Sequence, residues 1–139
     1  MGNIISTGQS NLPIPQNTTV LTTDMLNDIR DDRNIKHLII PHSVFWIYHF
    51  AFEGCSSLES ITIPDSVTKI EQGAFSYCSS LTSIDIPDTV TRIEAHTFKG
   101  CKSLTSINIP DSVTEIRYRA FEGCKSLTSI NIPDSVTEI

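Results

Sequence analysis

The run CKSLTSINIPDSVTEI occurs twice without a change, at residues 101–116 and 124–139. The two copies start 23 residues apart, and the same step runs back along the chain. Pro41, Pro64, Pro87, Pro110 and Pro133 follow it, as do Cys55, Cys78, Cys101 and Cys124. Leu58, Leu81, Leu104 and Leu127 keep the step, and so do Phe52, Phe75, Phe98 and Phe121 and the valines from Val44 to Val136. A fixed period of this length marks a repeat architecture built from one small unit. A single unit cannot bury its apolar side alone, so neighbours stack and share a continuous core.

Each unit reads locally. Leu81-Thr82-Ser83-Ile84-Asp85-Ile86 alternates across Ile84 and Ile86 and is rich in β-branched residues, which predicts a short half-buried strand. Pro87-Asp88 closes it, because Pro cannot extend a ladder and Pro-Asp favours a turn. Val90 to Ile93 predicts a second extended segment. Glu94 to Gly100 predicts a tight helical turn carrying Phe98, with Gly100 permitting the backbone reversal. The inward columns are then the Leu81, Ile84, Ile86, Val90, Ile93, Phe98 and Cys101 positions and their equivalents. Fourteen of the twenty isoleucines fall in three such columns. Like side chains stacked at β spacing, roughly 4.8 Å, form ladders.

The shared pattern, LxSIxIPDSVTxIxxxAFxGCxS, stands nearly intact at 58–80, 81–103 and 104–126. It resembles the BspA-like leucine-rich repeat family over about residues 40–139. The resemblance implies an α/β, β-rich solenoid of 23-residue units with a parallel sheet on one face. Members of the family are often surface-exposed or host-interacting binding proteins. Among the departures from the pattern, Thr97 stands where Ala is expected, and Tyr77 where Gly is expected.

Upstream, Thr22 to Arg30 predicts a short capping helix, with Thr or Asp as N-cap and Met25, Leu26 and Ile29 on one face. Ile35, Leu38 and Ile40 align with Leu58, Ile61 and Ile63, so 35–40 is an imperfect first strand. The organisation expected is a flexible segment at 1–21, a capping helix and imperfect strand at 22–40, and repeats at 41–139. Residues 7–20, with Pro13 and Pro15, read as an extended lead-in. Met1-Gly2-Asn3-Ile4-Ile5-Ser6 fits the N-myristoylation acceptor pattern, which makes Gly2 a lipidation candidate. One such chain, with no polybasic patch beside it, gives only weak, reversible membrane contact. At the other end Ile139 falls mid-unit, which leaves two expectations: a fragment of a longer array, or an open end that self-associates end to end.

Composition narrows the function classes. A net charge of −6 argues against nucleic acid, which needs clustered cations. No apolar run approaches 18 residues, so no spanning helix is expected. Residues 1–30 lack the basic start and apolar stretch of a secretory signal, so an intracellular, cytoplasmic location is expected, peripheral to a membrane if Gly2 is acylated. A surface location is the alternative that the family resemblance keeps open. Cysteines spaced by 23 fit no zinc motif and read as a buried thiol ladder. His37, His42, His49 and His96 share no catalytic or metal-binding motif. No nucleophile elbow or phosphate loop is present, so neither an enzyme nor a cofactor is expected.

The binding candidates lie in the first full coil, the one that breaks the pattern. Later units read DSVTKIEQGAF, DTVTRIEAHTF and DSVTEIRYRAF, where this one reads HSVFWIYHFAF. Phe45, Trp46, Tyr48 and Phe50 stand in slots that elsewhere hold Thr, Lys, Arg, Glu, Gly or His, and His49 lies among them as a fifth partner-binding candidate. Bulky residues there are either covered by residues 7–30 or form an exposed partner patch. A polar strip on the strand face, Ser60, Ser83, Ser106 and Ser129 beside Thr62, Asp85, Asn108 and Asn131, lacks such anchors. The function expected is a non-catalytic module that binds a protein partner, with a structural or adhesin-type surface repeat as the alternative.

Overall fold

The alternating segments become parallel strands of two or three residues, and the computed structural model describes residues 14–139. On the first face, β2 (His37–Ile39) pairs with β4 (Ser60–Thr62), and β6 (Ser83–Asp85) with β8 (Ser106–Asn108). On the second face, β1 (Val20–Leu21), β3 (Trp46–Ile47) and β5 (Lys69–Ile70) form one sheet, and β7 (Arg92–Ile93) pairs with β9 (Glu115–Ile116). The register between repeats is the 23-residue period itself, with Leu38 opposite Ile61 and Ile84 opposite Ile107. A one-residue slip would turn every isoleucine to solvent, which is what holds this register.

The third edge of each coil is a run of turns. Here backbone N–H groups donate to carbonyls one coil on: Phe52 to Ala74 (2.8 Å), Phe75 to Thr97 (2.9 Å) and Phe98 to Ala120 (2.9 Å). Inside this edge the phenylalanines stack nearly parallel, with centroids 5.3 Å apart for Phe52 and Phe75, 5.8 Å for Phe75 and Phe98 and 5.5 Å for Phe98 and Phe121. The predicted inward columns are buried throughout the middle coils, while Ile130, Ile132 and Val136 at the end of the chain are only partly covered.

The turn edge differs from the helical turn expected at 94–100. It is a succession of tight turns, because two residues per coil adopt left-handed backbone. One column is Gly54, Tyr77, Gly100 and Gly123; the other is Phe50, Gly73, His96 and Arg119. Left-handed backbone costs an L-residue roughly 1–2 kcal/mol, and it interrupts any helix. Gly in one coil receives the aromatic of the coil before it. A Cβ on Gly73 would fall inside the Phe50 ring, and one on Gly100 inside the Tyr77 ring. Thr97, the other departure, is fully buried, and its hydroxyl donates to the Glu94 carbonyl at 2.7 Å.

The repeat also extends further towards the N-terminus than the 23-residue step indicates. Thr18 N–H donates to Pro15 O at 3.0 Å, as Val44 does to Pro41 at 3.1 Å. Ile14, Thr18 and Leu21 are buried where Ile40, Val44 and Ile47 are buried in the next coil. The step here is 26, because three extra residues lie between Leu21 and Ile35. They let the third edge close as a single 3₁₀ turn (Asp24–Leu26) followed by α1 (Asn27–Asp31). Leu26 and Ile29 face the core as expected, but Met25 points outward, and no side chain caps the helix start. Thr23 instead donates its hydroxyl to His49 O.

A helix occupies its own N–H groups, so it cannot donate to the next coil as the other turn edges do. Arg30 supplies the missing donors. Its Nη2 donates to Ala51 O at 2.7 Å and its Nε to Glu53 O at 2.6 Å. These two carbonyls are the one-coil equivalents of Ala74 and Ser76, which accept from Phe52 and Gly54.

Candidate functional site

The aromatic coil sits at the N-terminal side of the second face. Its backbone is covered and its side chains are not. Phe45 N–H donates to Thr19 O and Tyr48 N–H to Leu21 O, so β1 pairs along the edge. Yet Phe45 is 45% exposed and Tyr48 39%. The two alternatives for this coil therefore divide: the upstream segment satisfies the main chain and leaves the outer faces of the rings in solvent.

The rings form one connected group. Trp46 and Tyr48 meet edge-on with centroids 5.1 Å apart, and Tyr48 and His49 do so at 4.8 Å. Trp46 is half-buried and held from the next coil, where its Nε1 donates to Glu71 Oε2 at 2.7 Å and Lys69 Nζ lies 5.3 Å over its ring. Both partners belong to the columns that Trp46 and Tyr48 head, so one coil's charged pair orients the previous coil's aromatics. Phe50 does not join the group. Its left-handed backbone turns its ring onto Gly73, a packing role that its residue type alone does not disclose. Phe45 interrupts a column of threonines whose hydroxyls donate to the preceding carbonyl, Thr68 to Phe45 O and Thr114 to Thr91 O.

Further along this face the charges pair off. Glu115 accepts from Arg92 at 3.1 Å and from Arg117 at 3.0 Å, and Arg117 also reaches Glu94 at 3.6 Å. On the first face, His37 Nδ1 and Ser60 Oγ share a hydrogen bond of 2.7 Å. The candidate acceptor Gly2 lies outside the described residues.

The cysteines form the expected thiol ladder. All four are free, and the Cys78, Cys101 and Cys124 thiols each donate to the carbonyl of the phenylalanine one coil back, at 3.1–3.2 Å. Burial pushes the Cys55 thiol up to about 11 and Cys101 up to about 12, and holds Cys78 well above the ordinary thiol value. An unfolded thiol near 9.0 ionises first as pH rises, so the unfolded state then binds fewer protons than the folded one. The thiols' contribution to stability is complete below pH 9 and is lost as pH climbs through 11–12. We expect the urea midpoint to fall between about pH 8 and about pH 10.5, and to fall less in a Cys78→Ala, Cys101→Ala variant. Equal falls in both proteins would assign the alkaline loss to other groups.

Among the described residues no three His, Cys, Asp or Glu side chains gather as a metal site, and no helix is long and apolar enough to cross a membrane.

Known proteins place this architecture. A leucine-rich cell surface protein from Faecalibacterium prausnitzii superimposes with a TM-score of 0.70 at 28% identity, over 99% of this chain and 42% of its own length. The leucine-rich repeat protein of T. pallidum superimposes with a TM-score of 0.62 at 25% identity, covering 94% of this chain and 69% of its own. The chain thus spans less than half the length of the Faecalibacterium protein. No curated protein matches it. The model of the BspA-type leucine-rich repeat region matches in six copies over residues 10–139, beginning close to where the 26-residue first coil begins. With that match over almost its whole length, the chain belongs to the BspA-type leucine-rich repeat family.

Proposed function

We propose that this solenoid is a non-catalytic protein-interaction module whose contact surface is the aromatic group Phe45, Trp46, Tyr48 and His49. One observation carries the reading: two large aromatic side chains stand in solvent on a coil whose backbone is paired on both sides, so the fold gains nothing from leaving them bare. Aromatic residues of this kind anchor protein interfaces, and Trp46 is already held in one orientation by Glu71 and Lys69.

The test compares the wild type with a Phe45→Thr, Tyr48→Glu double variant, which restores the residues found at those positions in the next coil. Both proteins should unfold at the same urea concentration. Proximity crosslinking in the native host should give partners that depend on the two rings. Identical crosslinked sets would remove the aromatic coil as the contact surface.

A second reading, a structural or adhesin-type repeat displayed on a cell surface, is favoured by the likeness to a leucine-rich cell surface protein. Protease shaving of intact cells separates the two locations. Acylation of Gly2 would add weak membrane contact to the cytoplasmic reading, and intact mass after co-expression with an N-myristoyltransferase reports it; an unmodified chain excludes it.

A further inference from the structure

Neighbouring coils are laced together by a repeating set of backbone bonds, and one junction in the middle of the array lacks some of them on both faces. Between the coil ending at Ser57 and the one ending at Ser80, the second face has Thr68 N–H to Phe45 O and Glu71 N–H to Ile47 O, and the first face has Ile40 N–H to Thr62 O. Between the coil ending at Ser103 and the next, the same three recur as Thr114 to Thr91, Arg117 to Ile93 and Ile86 to Asn108. At the junction between them, the bonds from Thr91 to Thr68, from Glu94 to Ile70 and from Ile63 to Asp85 are all missing among the described residues. Strand pairing is interrupted on both faces here, between β4 and β6 and between β5 and β7. Thr82 N–H still donates to Glu59 O at 3.1 Å, and the Thr89 hydroxyl to Val67 O at 2.6 Å. Past β8, among the described residues, only the first face is unpaired.

The turn edge at this junction stays closed. Gly73 donates to Ala95 at 3.0 Å, Phe75 to Thr97 at 2.9 Å and Tyr77 to Lys99 at 2.6 Å. The Tyr77 ring lies on Gly100, and Lys99 Nζ stands 5.9 Å over that ring. The widest step of the phenylalanine stack, 5.8 Å, falls here too. Where the second face parts there is a groove of about 360 Å³ lined by Thr68, Lys69, Glu71, Thr91, Arg92 and Glu94. Three of its charged groups are already engaged within the chain: Glu71 by Trp46, Arg92 by Glu115 and Glu94 by Arg117. The groove therefore offers a joint rather than a set of free ligand-binding groups.

Three residues depart from the repeat consensus over 58–126, Tyr77, Thr89 and Thr97, and all sit at this junction. Thr89 keeps the bond of its serine counterparts, its hydroxyl donating to Val67 O. Thr97 puts a hydroxyl and a methyl where Ala51, Ala74 and Ala120 have one methyl, fully buried beneath the parted strands. Its hydroxyl binds the carbonyl of Glu94, the same residue whose N–H lacks the ladder bond. Tyr77 clamps the opposite edge.

We propose that this junction is a built-in hinge. The coils through Ser80 and the coils from Leu81 rock as two blocks about the Tyr77–Gly100 edge, and Thr97 holds the Thr68–Thr91 edge open. Rocking changes the angle between the aromatic coil and the later coils, so it sets how much of the second face one partner can span.

Amide exchange followed residue by residue by NMR tests this on the whole chain. Thr91, Glu94 and Ile63 should exchange at least about tenfold faster than Thr114, Arg117 and Ile86, while Phe75 and Tyr77 stay as protected as Phe52 and Gly54. Thr97→Ala should bring Thr91 and Glu94 to the protection of Thr114 and Arg117. Thr97→Val keeps the bulk without the hydroxyl, and should leave the edge open if volume is the wedge or close it if the Glu94 bond is. Equal protection at the two junctions in the wild type would overturn the hinge. Thr97→Ala and Thr97→Val both exchanging like the wild type would overturn the role of Thr97.

Discussion

Replacing Phe75 by alanine is expected to cost about 3–5 kcal/mol, a large part of the stability of a chain this size. Phe75 is fully buried and contacts a phenylalanine on each side, at 5.3 Å and 5.8 Å. Its loss therefore opens a cavity in the middle of a stack rather than at its end. The walls cannot collapse, because Phe52 and Phe98 are each fixed by backbone bonds to the neighbouring coil. Phe121, partly buried in the last part of the stack and covered from one side only, makes the internal comparison. Phe121→Ala should cost distinctly less. Urea titration of the two variants reads the difference, and equal losses would mean that the stack contributes only through area and not through its continuity.

The second large effect is expected at an outer residue. Arg30→Met should destabilise by about 2–4 kcal/mol, since two carbonyls lose charge-assisted donors while the aliphatic stem is kept. In ordinary coils two backbone N–H groups meet the equivalent carbonyls. One planar guanidinium takes their place, with Nε and Nη2 set at the spacing of Glu53 O and Ala51 O. Arg30→Lys keeps the charge but not the fork, so it should recover little. A lysine variant as stable as the wild type would show that charge alone suffices. Asn27 orients the group through Nη1 at 2.6 Å, so Asn27→Ala should give a smaller loss in the same direction.

Much of this architecture is legible in the period. Pro, Leu, Ile, Phe and Cys columns name the core because a 23-residue step repeats one environment coil after coil. What the period hides are places where the environment recurs without the residue. The left-handed column at Phe50, Gly73, His96 and Arg119 has glycine once, so composition carries no sign of its backbone. The first coil is hidden by its step of 26. Arg30 looks like any surface cation until the helix beside it removes the donors that it replaces. The aromatic group is visible as a break in pattern, but its division into covered backbone and bare rings depends on β1, whose two residues have no alternation to read. Thr97 and Tyr77 stand out as departures; their meeting at one junction is a property of stacking alone.

The aromatic–glycine pair on the turn edge bears on how the chain finds its own order. Ladders of like residues are nearly indifferent to which coil lies next to which. If one unit looped out, Phe98 would stack on Phe52 about as well as Phe75 does, and Leu81 would lie on Ile35 about as well as Leu58 does. Phe50 is not indifferent. Skipping a coil would set its ring against His96 instead of Gly73, where a side chain occupies the space that the ring needs. Tyr77 would accept Gly123 as readily as Gly100, so the later coils carry no such check. Gly73 thus works as a key against frame-skipping during folding, because the coil beyond it holds His96 and not glycine in the same column.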